Sequence, residues 1–214
     1  MGGSLPKQFH RLGGMTILER SIWAFQGLRG IREIVLVVPP PFVDRARALV
    51  AAKRLGKVRH VVEGGEERQD SVRLGLAACS PGTGIVLVHD AVRPLVTREL
   101  ILQVVAAAEL HGAAVPGVRV KDTIKFEDAD QPGFYVRTLP REGLWGVQTP
   151  QGFRYSLLLE AHEEARKAGF RGTDDASLVE RLGIPVRIVE GNERNMKITT
   201  PADLRLARYL LRGK

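Results

Sequence analysis

Cysteine is almost absent from the sequence, because Cys79 is the single one among 214 residues. One thiol cannot form a disulfide within the chain or supply a zinc site built from several cysteines. No apolar run approaches the roughly 20 residues that a transmembrane helix needs. The amino terminus, MGGSLPKQF, also lacks the charged and then apolar pattern of a signal peptide. These absences predict a soluble protein of the cytoplasm.

Aromatic residues are scarce as well, at 6% of the chain, although the formal net charge is +8. The basic residues are scattered, and no zinc-finger, basic-zipper or aromatic-rich RNA-binding motif accompanies them. Few aromatic side chains are present to stack on bases. We therefore expect small phosphorylated molecules as partners, and neither nucleic acid nor a membrane.

The common motifs for nucleotides and nucleophiles are missing too. The sequence has no GxxxxGK[ST] P-loop, and no GxGxxG follows a strand. Its five histidines are dispersed, and no nucleophile elbow is present. A P-loop enzyme, a standard dinucleotide site and a serine hydrolase are thus excluded as starting hypotheses.

Strand-like and helix-like segments alternate along most of the chain. The spacing predicts strands at 32–39, 58–63, 85–90, 112–118 and 186–191. It predicts helices at 16–28, 41–56, 68–79, 97–112, 155–169, 174–183 and 201–213. This alternation is typical of βαβ units. We expect an α/β fold with a Rossmann-like, doubly wound, mostly parallel sheet, in one domain over 1–214.

One stretch, 120–145, interrupts the alternation. Two strand-like arms flank the polar turn EDADQPG, and the first arm alternates poorly between apolar and polar residues. An isolated hairpin is marginally stable in water. We therefore expect a protruding β-hairpin arm that pairs two copies of the chain as a homodimer.

The segment IVLVHDAVRP, 85–94, places a carboxylate directly after an apolar strand. Such a strand is typical of the interior of a parallel sheet, buried on both faces. Ligands of open α/β sheets bind beyond the carboxyl ends of the strands. Asp90 is therefore a candidate magnesium ligand and Arg93 a candidate phosphate ligand. A turn residue and a local Asp–Arg ion pair are the alternatives.

Three further segments lie near strand exits or helix starts. EGGEERQDS offers Gly64, Gly65 and Ser71 for close approach of a ligand, or an ordinary glycine turn. GTDDAS places Thr173 at a helix start, where it is an anion ligand or a plain N-cap. Lys197 in NMKITTP faces a phosphate or is simply exposed. One carboxylate, several cations and no nucleophile suit phosphoryl or nucleotidyl transfer.

Seven ordered motifs resemble one known family. They are PKQF, GGEERQDSV, VLVHDAVRP, VKDTIK, GLWGVQTPQGF, TDDASLVE and NMKITTPADL. In this order they are similar to the 2-C-methyl-D-erythritol 4-phosphate cytidylyltransferases, over essentially the whole chain. The resemblance implies a nucleotidyltransferase fold with a dimerising β-arm. It also implies transfer of a cytidylyl group from CTP to methylerythritol phosphate, with magnesium and release of pyrophosphate, in non-mevalonate isoprenoid synthesis.

The resemblance implies a role for each matching residue. Lys7, Arg141 and Lys197 would be catalytic, with Arg141 and Lys197 aligning the attacking phosphate. The residues around the nucleotide would be Gly65, Glu66, Ser71, Asp90 and Ala91, with Asp90 also holding the metal. Those that position the polyol phosphate would be Arg93, Thr123, Thr149 and Thr173. Thr123 lies on the arm, so it would serve the site of the partner copy.

Two features leave alternatives open. The family normally begins with a strand and an alanine- and glycine-rich loop that ends in arginine, methionine and glycine before PKQ. The present sequence reads MGGSLPKQF there, so we expect that first strand, most of the loop and its arginine to be missing from residues 1–214. Ribitol 5-phosphate or another polyol phosphate is an alternative substrate, and an impaired nucleotide-binding or regulatory protein is the non-enzymatic alternative.

Overall fold

A computed structural model describes residues 5–212 of the protein. The start of the MGGSLPKQF segment, residues 1–4, falls outside these residues, so the expectation about the family's first strand and loop stays a prediction. Within them, no helix combines the length and the apolar character needed to cross a membrane. The helices are, in order, α1 Ile17–Gln26, α2 Val43–Ala52, α3 Arg68–Ala77, α4 Arg98–His111, α5 Tyr155–Lys167, α6 Asp175–Arg181 and α7 Pro201–Arg212.

Within residues 5–212 the strands form four separate sheets. They are β1 Arg11–Leu12, β2 Met15–Thr16, β3 Ile34–Val38, β4 Val58–Glu63, β5 Ile85–Val88, β6 Ala113–Arg119, β7 Ile124–Glu127, β8 Tyr135–Leu139, β9 Trp145–Val147, β10 Gln151–Arg154 and β11 Arg187–Glu190. The predicted strands and helices lie close to their expected bounds, and the α/β fold class is confirmed.

The main sheet has the strand order β11-β6-β10-β5, with β9 paired to the far end of β6. β6 and β11 run parallel, while β10 lies antiparallel between β6 and β5. The sequence did not predict β9 and β10. Both are short, and β10 contains a glycine at its second position, so neither shows the apolar run of a central strand.

β3 and β4 form a separate parallel pair. The carboxylate of Glu33, just before β3, accepts hydrogen bonds from the backbone and hydroxyl of Ser80, which precedes β5. At the opposite ends, Arg68 at the start of α3 contacts Asp90 beyond β5. β3, β4 and β5 therefore share one direction, although no described strand lies between β3 and β5.

The strand before Asp90 is less buried than its sequence predicts. All four residues of β5, Ile85–Val88, are half-buried, whereas the apolar run predicts burial on both faces. Helices do cover both faces, but one edge of β5 has no neighbouring strand within residues 5–212. The open edge explains the exposure of these side chains.

Helix caps follow the sequence signals at three helices. Thr16 and Glu19 form a reciprocal capping box at α1, and the Thr97 hydroxyl accepts the Leu100 amide at α4. Asp203 accepts the amides of Thr199 and Thr200 ahead of α7. These two bonds, and a third that the Thr199 hydroxyl donates, lower the pKa of Asp203 to about 2. At α6 the N-cap is Asp174, so the alternative interpretation of Thr173 as a plain N-cap is wrong.

The segment 120–145 leaves the main sheet as an arm. β7 and β8 pair only with each other, antiparallel, and nearly all of their residues are exposed. Phe126, Phe134, Tyr135 and Val136 are large apolar residues that remain exposed on this arm. The predicted hairpin arm is thus confirmed as a structural element.

Gly152 provides a direct test of packing where α4 crosses the sheet. A Cβ at this position would lie 2.9 Å from Val104 Cγ1 and 3.1 Å from Leu87 Cδ2. We predict that Gly152→Ala lowers the free energy of unfolding by about 1–3 kcal/mol through overpacking. Urea titration would measure it. Gly56→Ala is the control, since nothing lies within 4 Å of its Cβ position, and equal stability of the two variants would contradict this packing account.

Candidate active site

The candidate site lies at the carboxyl edge of the parallel strands. Asp90 follows β5, and the Gly64–Gly65 turn follows β4. Thr149 lies at the same edge because it precedes β10, which runs antiparallel to β5. The strand order therefore gathers residues that are far apart in sequence, as the position beyond β5 predicts.

The carboxylate of Asp90 is the centre of the site. One of its oxygens lies 3.0 Å from Lys197 Nζ and 3.7 Å from Arg93 Nε, and the other lies 3.4 Å from Arg68 Nε. The Asp90 side chain is 14% exposed, and that of Lys197 is 45% exposed. Three cations thus face one carboxylate, so the site carries a net positive charge that suits phosphate groups.

Opposing effects set the ionisation of this cluster. Burial alone would raise the pKa of Asp90, but Lys197, Arg68 and Arg93 together hold that pKa below its ordinary value. Burial also lowers the pKa of Arg93, against the opposing effect of Asp90. The predicted Asp90–Arg93 ion pair therefore forms, but as one part of a larger cluster.

Arg68 is a member of the site that the sequence did not single out. Burial acts to lower its pKa, but the opposing charges of Asp175 and Asp90 raise that pKa overall. Its Nη1 donates to the buried carboxylate of Asp175 at 2.7 Å, and the other Asp175 oxygen contacts His162 Nε2 at 3.1 Å. The signal available in the sequence was a lone arginine in the first turn of the helix after the glycine turn.

The glycine turn after β4 is held by the helix that follows it. The Gly65 amide donates to the Ser71 hydroxyl at 3.1 Å. A Cβ at Gly64 would lie 2.9 Å from that hydroxyl, and one at Gly65 would lie 2.4 Å from Asp70 Cβ. Close packing against Asp70 therefore requires glycine at position 65, while Gly64 lies tightly against the Ser71 hydroxyl. Glu66 is exposed at the tip of this turn.

Thr149 connects Asp90 to its neighbour His89. The Thr149 hydroxyl accepts the Asp90 amide at 3.0 Å and contacts His89 Nδ1 at 3.1 Å. His89 Nε2 lies 3.1 Å from the carbonyl oxygen of Arg93. A neutral imidazole satisfies both bonds, with Nε2 donating and Nδ1 accepting from Thr149. Thr149 therefore fixes the backbone that presents the Asp90 carboxylate.

The loop that carries Lys197 is anchored by a buried amide. Asn195 is fully buried, and its Nδ2 donates to the Thr149 carbonyl at 2.9 Å and to Gln148 Oε1 at 3.2 Å. The backbone carbonyl of Asn195 accepts a hydrogen bond from Arg93 Nη1 at 2.7 Å. These bonds bring the loop against the site, so that Lys197 reaches Asp90.

Lys7 and Ala91 border the site on the side of α1. Lys7 lies in a short 3-10 turn, Lys7–Phe9, and makes no ion pair with any other residue in 5–212. The Ala91 carbonyl accepts a hydrogen bond from the Ser21 hydroxyl at 2.7 Å. Phe9 and Ala91 belong to the same apolar cluster, which places the turn of Lys7 beside the segment after β5.

The remaining predicted residues lie further out and are exposed. Arg141, at the base of the arm, donates to the Lys121 carbonyl at 2.8 Å, and Lys121 forms an ion pair with Glu193. The base of the arm thereby adjoins the loop of Lys197. Thr123 precedes β7, and Thr173 precedes the cap of α6. No contact between these residues and Asp90 is found within 5–212.

The donor set fits magnesium when the metal is shared with a phosphorylated substrate. Within the described part of the chain, no group of three or more His, Cys, Asp or Glu side chains could hold a metal ion. Magnesium, however, is commonly bound by one or two carboxylates together with substrate phosphates. Asp90 supplies one such carboxylate, surrounded by cations that can contact the same phosphates.

His89 predicts a measurable pH dependence of stability. Burial lowers its pKa from the ordinary value of 6.5 to about 4. The unfolded chain therefore binds a proton near pH 6 that the folded protein does not bind. This linkage lowers the free energy of unfolding as the pH falls from about 6.5 to about 4, by up to about 3 kcal/mol.

We predict that His89→Gln weakens this dependence when urea unfolding is measured from pH 7.5 to 4. The exposed His60 is the matched control, and His60→Gln should keep the wild-type profile. Identical profiles for wild type and His89→Gln would contradict a neutral His89.

Comparison with known proteins agrees with this geometry. The family model of 2-C-methyl-D-erythritol 4-phosphate cytidylyltransferase matches residues 1–213. A curated enzyme of that name from Geobacillus kaustophilus is 48% identical, over 100% of this chain and 92% of the relative. The crystal structure of the Thermus thermophilus enzyme of that name is 43% identical, with a TM-score of 0.80, and the match covers 97% of this chain and 94% of that one. A crystal structure of 4-diphosphocytidyl-2C-methyl-D-erythritol synthase from Anaerococcus prevotii is 31% identical, with a TM-score of 0.88, and the match covers 99% of this chain and 92% of that one. The chain belongs to the 2-C-methyl-D-erythritol 4-phosphate cytidylyltransferase family.

Proposed function

We propose that the protein transfers the cytidylyl group of CTP to 2-C-methyl-D-erythritol 4-phosphate and releases pyrophosphate, as a step of isoprenoid precursor synthesis. The observation that carries this proposal is the buried Asp90 carboxylate and its three cations at the carboxyl edge of the sheet. Family membership supports the choice of substrates. A cytoplasmic location and the absence of nucleic-acid and membrane partners stay predictions from the sequence.

The reaction needs no nucleophile from the protein. A phosphate oxygen of the polyol phosphate attacks the α-phosphorus of CTP and forms a new P–O bond. The bond from the α-phosphorus to the bridging oxygen breaks, and its electron pair leaves with pyrophosphate. The protein's contribution is to bring two anions together, which is unfavourable unless cations lie between them.

We assign roles by position in the site. Asp90 would hold magnesium, which when bound neutralises and orients the triphosphate. Lys7 and the segment after β5 would border the triphosphate. Gly65, Glu66, Ser71 and Ala91 would surround the nucleotide, with Gly65 and Ser71 presenting a packed turn to it.

The other substrate would bind between the site and the arm. Lys197 is exposed and close to Asp90, so it can contact a phosphate that enters beside the carboxylate. Arg93, anchored on the Asn195 carbonyl, provides a fixed charge. Thr149 would act at the same place, while Arg141, Thr123 and Thr173 lie at the rim, where the polyol phosphate would enter.

The proposal predicts magnesium-dependent release of pyrophosphate only when CTP and the polyol phosphate are both present. Phosphorus NMR would follow the product and pyrophosphate together. Asp90→Asn should reduce the rate by about 100-fold or more, because one preorganised charge at a phosphate site has that effect. Chelation of magnesium should abolish turnover.

Asp44→Asn is the matched control, because the Asp44 side chain is 98% exposed on α2. Full activity after chelation would refute the metal assignment. Faster turnover of ribitol 5-phosphate than of 2-C-methyl-D-erythritol 4-phosphate would show that ribitol 5-phosphate is the substrate instead. Binding of CTP with no turnover of either polyol phosphate would favour a regulatory protein.

Lys197 and Arg141 should act on the attacking phosphate. We predict that Lys197→Ala and Arg141→Ala each lower kcat by about 100-fold, while calorimetric affinity for CTP changes little. Lys167→Ala is the control, since Lys167 is an exposed lysine paired with Glu164 on α5. A variant that loses CTP affinity but retains kcat at saturating CTP would show that its cation serves the nucleotide instead.

We further propose that the arm forms a homodimer. Phe134 and Tyr135 are 68% and 63% exposed on a hairpin that packs on little else in its own chain. Phe134→Ser combined with Tyr135→Ser should yield a monomer by light scattering, because the apolar contact area is lost. Tyr209→Ser is the control, as Tyr209 is 75% exposed on α7. A dimer that survives the double substitution would place the interface elsewhere.

A further inference from the structure

A small cavity lies between α3 and α5, and none of the residues that line it has a role in the candidate active site. Its volume is about 240 Å³. Drug-sized ligands usually occupy pockets of about 300–1,000 Å³, so this cavity suits a smaller molecule. The loop that closes it is fixed to α3 by Gln69, whose Nε2 donates to the Phe170 carbonyl at 3.1 Å and whose Oε1 accepts the Gly172 amide at 3.0 Å. Anchored elements therefore bound the cavity.

Cations predominate among the side chains that line the cavity. Arg73, Arg166 and Arg171 border it, whereas Asp70 is the one lining carboxylate in the described part of the chain. Arg171 is paired with the exposed Glu67 at 3.5 Å. Arg73 and Arg166 form no ion pair and no side-chain hydrogen bond with any residue in 5–212. Two cations are therefore available to a small anion.

His162 supplies a buried polar atom at the same cavity. Its side chain is 1% exposed and lines the cavity. Its Nε2 lies 3.1 Å from Asp175 Oδ1 and donates the hydrogen, because the carboxylate, which is also paired with Arg68, accepts. Nδ1 of the neutral imidazole is then an acceptor. It has no hydrogen-bond partner within residues 5–212, and an unpaired atom of this kind is costly to bury.

We propose that this cavity binds inorganic phosphate, whose hydroxyl donates to His162 Nδ1 while its other oxygens accept from Arg73 and Arg166. Inorganic phosphate retains at least one P–OH group in both of the ionic forms that occur near neutral pH. Sulfate has no such group, and a phosphate monoester loses its hydroxyl above a second pKa of about 6. One small anion thus combines a donor for Nδ1 with acceptors for the two arginines.

The same histidine connects the cavity to the candidate active site. Asp175 contacts His162 through one oxygen and Arg68 through the other, at 2.7 Å, and Arg68 Nε lies 3.4 Å from Asp90. Phosphate bound at the Asp90 cluster could therefore disturb His162 indirectly, so the experiment has to separate the two places. Binding in the cavity does not require the proposed reaction.

NMR of the histidine ring nitrogens provides the test. The signals of His162 are assigned in the wild-type protein, so no histidine variant has to fold, and inorganic phosphate is titrated at about pH 7.5 and constant ionic strength. The cavity variant, Arg73→Gln with Arg166→Gln, removes the two unpaired cations. Arg29→Gln with Arg32→Gln is the matched control, because both residues are exposed arginines that do not line the cavity.

Phosphate should shift the His162 Nδ1 signal in the wild type and in the control. The cavity variant should need about tenfold more phosphate for the same shift. Sulfate, and methyl phosphate as its dianion, should bind about tenfold more weakly than phosphate, because neither donates to Nδ1.

Three results would overturn the proposal. The first is a His162 signal that phosphate does not shift at any concentration. The second is equal titration of the cavity variant and the control, which would place the phosphate at the Asp90 cluster. The third is an affinity for sulfate equal to that for phosphate, which would show that Nδ1 does not accept a hydrogen bond from the ligand.

Discussion

Holding the Asp90 carboxylate in its charged form is the constraint on which the site depends. Removing a carboxylate from water is costly, so a charge at such a position must be compensated by close partners. The compensation comes from three parts of the chain: Arg68 from α3, Arg93 from the segment after β5, and Lys197 from the loop before α7. Each ion pair also fixes the position of its own segment.

The three cations differ in how freely they can move. Arg68 is tied to the buried Asp175, and Arg93 is tied to the carbonyl of Asn195. Lys197 has no second partner of this kind in residues 5–212, and it is the most exposed of the three. Under the proposed function, a phosphate that enters the site would therefore recruit Lys197 at little cost, while the two arginines would keep the charge of the site in place.

Much of the fold was predictable because it follows from local pattern. Apolar periodicity marks the long helices and the strands β3 to β6, and Thr16 with Glu19 marks a helix start that the structure confirms. The strand β10 was not predicted, because its place in the sheet depends on its neighbours. Gly152 is suited to the centre of the sheet only because α4 and β5 press on it.

The same distinction applies to the site. Asp90 was predictable from its position after an apolar strand, and Lys197 from the family resemblance. The buried group of Arg68, Asp175 and His162 was not, because its members lie 107 and 13 residues apart in the chain.

A crystal structure with CTP and magnesium would test most directly whether the Asp90 cluster is the site of phosphate chemistry. We predict that the Asp90 carboxylate binds the metal, that the triphosphate lies against the cations of the cluster, and that Lys197 has left Asp90. Nucleotide bound elsewhere, with the ion pairs of Asp90 to Lys197, Arg68 and Arg93 unchanged, would contradict the account.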